Sequence, residues 1–339
     1  MPKAKTAPTL EDVAKLAGVS TATVSRCLNS PSLVVQATRD RVQSAVDALG
    51  YTPNFAARVM AARRSHTIGA IIPTMENAIF ARGLQAFQEE LRQHGYTLLV
   101  SSSAYQPEIE EEQIRNLVAR GADGLLLIGH DRDSRIYDYL AKRRIPVLIA
   151  WSFQADAPVP SVGFDNRAAM AELANQVIKL GHRTLGMISG VSTGNDRARL
   201  RIEGVQEAMR RNNIPNDRLT IVETPYEIEN GAEAFSRLMS RQDRPTAVLC
   251  GNDVLAIGAS RRAKEMGLRV PQDVSVTGFD DIELAQITDP GLTTVHVPHR
   301  EMGRRAALEL VGLIEKPTES CNVQLRTNLV ERQSLGRPG

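Results

Sequence analysis

The sequence predicts an N-terminal all-α domain followed by a larger α/β domain of two lobes. Three observations lead there. Residues 1–64 carry helix caps and helical periodicity but no strand-like run. From His66 onward, short apolar runs alternate with helix-sized amphipathic segments, which is the mark of parallel sheets covered on both faces. Charge is also uneven: residues 1–64 hold nine Lys/Arg against four acids, although the whole chain carries only +2. A basic head on a mildly acidic body points to a polyanionic partner for the head. With 339 residues the chain is too long for one small core.

Composition excludes several classes. No apolar run approaches the ~20 residues needed to cross a bilayer, so no membrane role is expected. The opening MPKAKTAPTL has two lysines with no apolar segment behind them. It does not read as a secretory signal, and a cytoplasmic location is expected. Cys27, Cys250 and Cys321 are odd in number and far apart, which fits a reducing compartment and argues against a disulfide framework or a cysteine zinc site. The six histidines show no metal-ligand spacing, and no G-x-G-x-x-G follows a strand-like run. Neither a metal nor a dinucleotide cofactor is expected.

In the head, TLEDVAKLA reads as a helix. Thr9 is placed to cap it, and Asp12 three residues on completes an approximate capping box. Leu10, Val13, Ala14, Leu16 and Ala17 form its apolar stripe, and Gly18 ends it where a left-handed residue is wanted. Ser20 caps the next helix, Thr21–Asn29. Val24 and Leu28 face inward, while Thr21, Ala22, Ser25, Arg26 and Asn29 share the outer side. A third helix is expected over Ala37–Leu49, closed by Gly50. Two short helices joined by a tight glycine turn form a helix-turn-helix, whose second helix fits the major groove. Thr21 is suited to a base edge, Ala22 to a thymine methyl and Arg26 to guanine O6/N7. The same caps would serve a plain three-helix bundle; the basic excess and the segment that follows favour DNA.

After Pro53, with Asn54 as its cap, the Ala-rich stretch Phe55–Ala62 has good helix propensity. At about eight residues such a helix is marginal in water alone, so it is expected to form only when paired. Arg58, Arg63 and Arg64 would lie beside phosphates and make binding salt-dependent.

TLEDVAKLAGVSTATVSRCLN, followed by LGYTPNFAARVMAARRSHTIGAIIP, resembles the LacI/GalR family of bacterial transcriptional repressors, and the similarity runs to about residue 332. The resemblance implies a homodimer that reads a palindromic operator, one helix-turn-helix per half-site. It implies that residues 53–64 are a hinge helix and that two hinges pair at the dimer axis. There Met60, where family members usually carry leucine, would wedge into the minor groove; packing of Met60 against the body is the plainer alternative. The DNA-facing candidates in the head are Thr9, Ser20, Thr21, Ala22, Thr23, Ser25, Arg26 and Asn29. Tyr51, Asn54, Arg58 and Met60 continue them into the hinge.

The resemblance also implies a body, residues 65–339, with the type I periplasmic-binding-protein-like fold. Nine apolar runs, from TIGAIIP to VSVTGFD, supply its strands. The pattern restarts near Ser161, and the chain is read as crossing back near Leu292–Val297 and Val323–Arg326. One lobe is therefore expected over about 65–160 with 292–322, the other over about 161–291 with 323–332. Ligands of such folds lie beyond the carboxyl ends of the strands. Candidates there are Phe80, Trp151, Phe164, Arg201, Tyr226, Asn252 and Asp280. Aromatic faces with carboxylates, an amide and a guanidinium suit a polyhydroxylated ligand, although each aromatic would also serve as core. In the family, the positions of Phe80, Arg201, Tyr226, Asn252 and Asp280 usually touch the effector, whereas Trp151 is not the usual type. A narrower similarity of SSAYQPEIEEEQ and VGFDNRAAM to gluconate-responsive repressors suggests a sugar acid, with sugars and sugar phosphates open.

Two other classes fit parts of the sequence. GVSTG, residues 190–194, fits a G-x-S-x-G nucleophile elbow with Ser192 and a later His296 or His299. The loop runs on through Gly194–Asp196 before any helix, which an elbow does not do, so no enzyme is expected. A sugar-binding protein without a DNA role would account for the body but not for the basic head. The expected mechanism is lobe closure by effector, which moves the two hinge exits and so lowers or raises DNA affinity. The chain stops soon after Arg332 without a leucine-heptad tail, which predicts a dimer and no coiled-coil tetramer.

Overall fold

The computed structural model describes residues 7–52, 64–316 and 322–339. The hinge candidates Asn54, Arg58 and Met60 lie outside the described residues. The chain divides into two compact units, Met1–Ser65 and His66–Gly339.

The first unit is three helices, α1 (Leu10–Ala17), α2 (Thr21–Asn29) and α3 (Gln36–Leu49), with a 3₁₀ turn at Pro31–Leu33. The capping box of α1 is complete: the Asp12 amide donates to Thr9 Oγ1 at 3.3 Å, and the Thr9 amide donates to Asp12 Oδ2 at 2.9 Å. Gly18 closes α1 at φ 65°, the left-handed region that favours glycine. Val13, Ala14 and Ala17 of α1 pack with Val24 and Cys27 of α2 and with Val42 and Ala45 of α3. Leu16, expected in the stripe, is exposed. At ~100° per residue it lies about 100° from Ala17 and 160° from Ala14, off the buried face. Cys27 takes an inward position beside Val24, and Leu28 is only half-buried.

The second unit contains two parallel sheets. In chain order its first elements are β1 (Thr67–Ile72), α4 (Ala78–Gln93), β2 (Thr97–Ser102), α5 (Pro107–Ala119), β3 (Gly124–Ile128), α6 (Ser134–Arg143), β4 (Val147–Ala150) and β5 (Ser161–Gly163). Then come α7 (Asn166–Lys179), β6 (Leu185–Ser189), α8 (Asp196–Arg211), β7 (Leu219–Glu223), α9 (Ile228–Met239), β8 (Ala247–Cys250), α10 (Asp253–Glu265) and β9 (Ser275–Thr277). The chain finishes with α11 (Leu284–Ile287), β10 (Thr294–His296), α12 (His299–Glu315), β11 (Val323–Gln324) and β12 (Asn328–Val330). The first sheet has the order β11-β5-β4-β3-β1-β2 and the second β7-β6-β8-β9, with β10 and β12 paired antiparallel. Every residue of β1, β3, β4, β5, β6, β8 and β9 is buried, as strands covered on both faces must be. Helix α12 packs on α4 and on β3–β5, inside the first lobe, whereas α7 packs on α8, β10 and β12 in the second.

The division between lobes differs from the expected one. β5 pairs with β4 through Ile149↔Ser161 and Ala150↔Val162, and β11 pairs with β5 through Val323↔Val162. Ser161–Gly163 and Val323–Gln324 therefore belong to the first lobe, and the crossings fall after β5, between β10 and α12, and between β11 and β12. The restart near Ser161 misled because β4 joins β5 with no helix between them. A parallel connection without its crossover helix looks, in sequence, like the end of a domain.

Candidate ligand cleft and nucleic-acid interface

The carboxyl ends of the two sheets face a common cleft. β1 leads to Thr74–Asn77 and β2 to Ala104–Tyr105; across from them, β6 leads to Val191–Asn195 and β7 to Pro225–Glu227. These loops line a cavity of about 370 Å³, with Glu76 and Glu227 contributing carboxylates. Tyr105 and Tyr226 meet across it, ring centroids 5.8 Å apart and planes at 42°. A β-carbon on Gly190 would fall 2.2 Å from the Tyr226 ring, so that ring lies directly on the backbone and requires glycine there. Ala104 and Tyr105 hold φ of 50° and 58°, two consecutive left-handed residues that are not glycine.

A second, buried layer contains most of the sequence candidates. Phe80, Trp151, Phe164, Arg201, Asn252 and Asp280 are each at most 4% exposed. Trp151 packs on Phe80 at 5.4 Å and stacks on His299 at 6.3 Å. Its indole N–H donates to His299 Nδ1 at 3.2 Å. The guanidinium of Arg201 lies 3.9 Å above the Phe279 ring. Arg201 donates from Nε to Asn166 Oδ1 at 2.9 Å and from Nη1 to the Gly251 carbonyl at 2.5 Å, leaving Nη2 3.8 Å from Asp280 Oδ1. Phe164 stacks on Phe279 rather than facing the cavity. The Asn252 carboxamide accepts the Leu255 amide at 2.9 Å and caps α10. Of the seven candidates, Tyr226 lines the cavity; Arg201, Asp280 and Trp151 cluster with His299 in the buried interior.

The electrostatics of this layer follow from burial. Asp280 is pushed up to about 7 by burial, against the pull of Arg201 and Arg197. Asp253 is pushed up to about 8, by burial first and then by the charge of Asp280. Burial and the nearby Arg201 bring His299 down to about 3, so its imidazole is neutral. Asp196 at the start of α8 goes the other way. Burial opposes its charge, but Arg197, the His130 amide at 2.9 Å and the Ser152 hydroxyl at 2.8 Å hold its carboxyl below the usual range. His130 and Ser152 belong to the first lobe and Asp196 to the second, so this carboxylate ties the lobes together. Arg199 adds a bidentate pair with Asp131 at 2.5 and 2.8 Å.

Sequence reasoning missed Tyr105, Arg197 and His299. Tyr105 sat within a motif used only for its family resemblance. Arg197 and His299 carried no local signal, because their partners lie far along the chain. The hydrolase alternative finds no geometry: Ser192 Oγ donates to the Glu223 carboxylate at 3.0 Å, while His296 pairs with Asp281 and His299 with Trp151. Among the described residues no group of His, Cys, Asp and Glu has metal-ligand geometry.

In the head, Thr21, Ala22, Arg26 and Asn29 are exposed along one side of α2, with Thr23 and Ser25 half-buried. Ser20 Oγ accepts the Thr23 amide at 3.2 Å and caps the helix, and Asn29 Nδ2 donates to Ser25 Oγ at 3.2 Å. Thr9 is occupied in its capping box, and Tyr51 packs at the edge of the small core.

An exposed polar helix face on a small helical unit and a two-lobed cleft together define a ligand-responsive DNA-binding regulator. The family described as bacterial regulatory proteins, lacI family, matches residues 9–54, and a periplasmic binding protein-like domain matches residues 174–335. The chain is 34% identical over 330 residues to the HTH-type transcriptional repressor PurR of Klebsiella pneumoniae (strain 342), covering 96% of each chain. It is 36% identical over 315 residues to the HTH-type transcriptional repressor CytR of Escherichia coli (strain K12), covering 92% of each. The crystal structure of the lac repressor dimer bound to operator and the anti-inducer ONPF superposes with a TM-score of 0.87 at 28% identity, covering 98% of this chain and 100% of that one. The protein belongs to the LacI family. As a member it is a DNA-binding transcriptional regulator under the control of a small-molecule effector, not an enzyme.

Proposed function

We propose that this protein is a cytoplasmic repressor that binds a palindromic operator as a homodimer, and that a neutral, polyhydroxylated effector held between the lobes sets its DNA affinity. In this reading residues 1–52 read the half-site, residues 53–64 pair as hinge helices with Met60 at the operator centre, and residues 65–339 bind effector and partner. Thr21, Ala22 and Arg26 read bases; Thr9, Ser20, Thr23, Ser25, Asn29, Tyr51, Asn54 and Arg58 position the head and hinge on the backbone.

The observation that carries the effector class is how the cleft's cations are used. Arg201 is spent on Asn166, the Gly251 carbonyl, Phe279 and Asp280. Arg197 is spent on Asp196 and the Ile128 carbonyl, Arg199 on Asp131 and Arg132 on Glu110. The cavity itself presents Glu76 and Glu227. A sugar acid such as gluconate would bring a carboxylate toward carboxylates, with no uncommitted guanidinium among these four to receive it. A neutral sugar brings C–H faces for Tyr105 and Tyr226 and hydroxyls for the polar lining residues Asn77, Thr193 and Asn195.

The test is calorimetric titration of the full-length protein with D-glucose, D-ribose and D-gluconate, with and without an operator duplex selected from a random pool. A neutral sugar is expected to bind, and to change operator affinity by the same factor by which operator changes sugar affinity. Tighter binding of gluconate than of either sugar would overturn the neutral class. Equal sugar affinity with and without operator would refute the coupling.

A further inference from the structure

We propose that the edge of the first lobe from which the chain leads to the head is a second DNA surface, holding phosphates of the duplex that flanks the operator. This rests on the operator reading above, and it adds affinity without reading bases. Strands β2, β1, β3 and β4 run parallel, so their amino ends share one edge. Backbone bonds fasten the turns there. The Thr97 amide donates to the His66 carbonyl at 2.8 Å, the Asp123 amide to the Thr67 carbonyl at 2.8 Å and the Leu125 amide to the Pro146 carbonyl at 2.9 Å. Helices α4, α5 and α6 lead into β2, β3 and β4, so all three end at this edge.

Those helix ends are basic. Arg92 lies in the last turn of α4, Arg120 caps α5, Lys142 and Arg143 lie in the last turn of α6, and Arg144 caps it. All five are exposed, and none forms an ion pair among the described residues. Arg143 stands 5.6 Å from the Tyr139 ring centroid, which steadies it without neutralising it. The nearby carboxylates are taken: Asp123 accepts the His66 amide at 2.7 Å, Glu89 pairs with Arg300 at 2.8 Å, and Glu90 faces His94 at 3.5 Å. The end of α12 reaches the same edge, because Ile314 packs on Gly124, and there Glu315 is followed by Lys316.

Helix dipoles favour cations at C-termini whatever their use, so the second lobe supplies the comparison. At its matching edge, before β7, β8 and β9, Arg211 pairs with Glu207, Arg241 with Asp243, Arg262 with Glu265 and Arg269 with Asp273. That edge largely neutralises itself, whereas the first lobe's leaves its charge to solvent. The first lobe's edge is also where β1 begins. Residues 53–65, which span at most about 45 Å when extended, tie it to the helix-turn-helix. Duplex held by the head is therefore at high local concentration around a row of free cations, which gain by neutralising phosphates and releasing their counterions.

The experiment measures affinity against salt for two duplexes, one of about 20 bp with the selected operator alone and one of about 60 bp with that operator at its centre. The full-length wild type should bind the longer duplex roughly tenfold more tightly at low salt, with a steeper salt slope. In the triple variant Arg120→Gln, Arg143→Gln, Arg144→Gln, that advantage should fall about fivefold or more, and the slope on the longer duplex should drop by roughly 1–3 per protomer. The shorter duplex should bind as before. Arg210→Gln, Arg218→Gln, Arg244→Gln removes the same charge from exposed positions of the second lobe and should leave both affinities in place. Arg120→Gln alone should show part of the loss, and it serves if the triple variant fails to fold. Equal losses in the two triple variants, or on the two duplexes, would overturn the proposal. So would no loss at all, which would leave this face to an acidic protein. A wild-type protein that prefers no operator to random duplex would overturn the operator reading itself, and this proposal with it.

Discussion

Trp151 donates its indole N–H to Nδ1 of His299 over 3.2 Å, joining the residue after β4 to the first residue of α12. The same indole lies on α4, where a β-carbon at Gly83 would fall 2.5 Å from the ring. Gly83→Ala should therefore destabilise the body by about 1–3 kcal/mol through overpacking. Trp151→Phe should cost a similar ~1–3 kcal/mol, by leaving a void and an unpaired Nδ1. The double variant should lose clearly less than the sum, because the smaller ring makes room for the new methyl. Urea unfolding of the four proteins measures this, and strict additivity would show that the two sites do not touch.

Stability should fall as pH rises from about 4 to about 8. Asp280 and Asp253 are raised to about 7 and about 8, against ~3.9 in the unfolded chain. The folded state therefore holds protons that the unfolded state releases. Their contribution is complete below about pH 4 and is lost as pH rises through 7 to 8. The urea midpoint of the body is expected to drop between about pH 5 and pH 8 and to level off above that. Asp253→Asn should flatten that slope, since its carboxyl otherwise ionises between Thr294 and the Ile282 amide. An unchanged slope in the variant would remove Asp253 from the account.

The first turn of α3 is uncapped. Val35 occupies the cap position with extended φ and ψ of −60° and 144°, makes no side-chain capping bond and is 75% exposed. Val35→Ser should stabilise the head by about 1 kcal/mol, by giving an orphan amide an acceptor. Thermal unfolding would register a higher midpoint for the head. A lower one would mean that the valine has a packing role.

Arg26 stands exposed on α2, and no carboxylate among the described residues pairs with it. Arg26→Ala should relax base preference at one position of each half-site by about 1–3 kcal/mol. Binding to a set of single-base operator variants reads this directly. A uniform loss across the set would make Arg26 a phosphate contact instead.

How much was legible in the sequence depended on the range of the interaction. Thr9 with Asp12, Ser20 with Thr23 and Gly18 lie within a few residues of their partners, so spacing alone revealed their roles. Strands were legible because burial on both faces writes continuous apolar runs. Asn252 was read as a ligand group, although its carboxamide is taken by an amide three residues on, which residue type alone does not disclose. His299 meets Trp151 across 148 positions of chain, and no periodicity encodes such a meeting. Leu16 shows the limit within a single helix: one residue out of phase turned an apolar side chain to solvent.

The three passages of backbone between the lobes have a consequence for engineering. Neither lobe is a continuous stretch of sequence, since α12 and β11 return to the first after the second has been built. A chimaera that exchanges one lobe with a relative needs three splice points, after β5, before α12 and between β11 and β12. A single splice anywhere in the body would sever one lobe's sheet from its own edge strand or its covering helix. Grafting a new specificity onto this scaffold is thus a matter of replacing individual cleft side chains rather than transplanting halves.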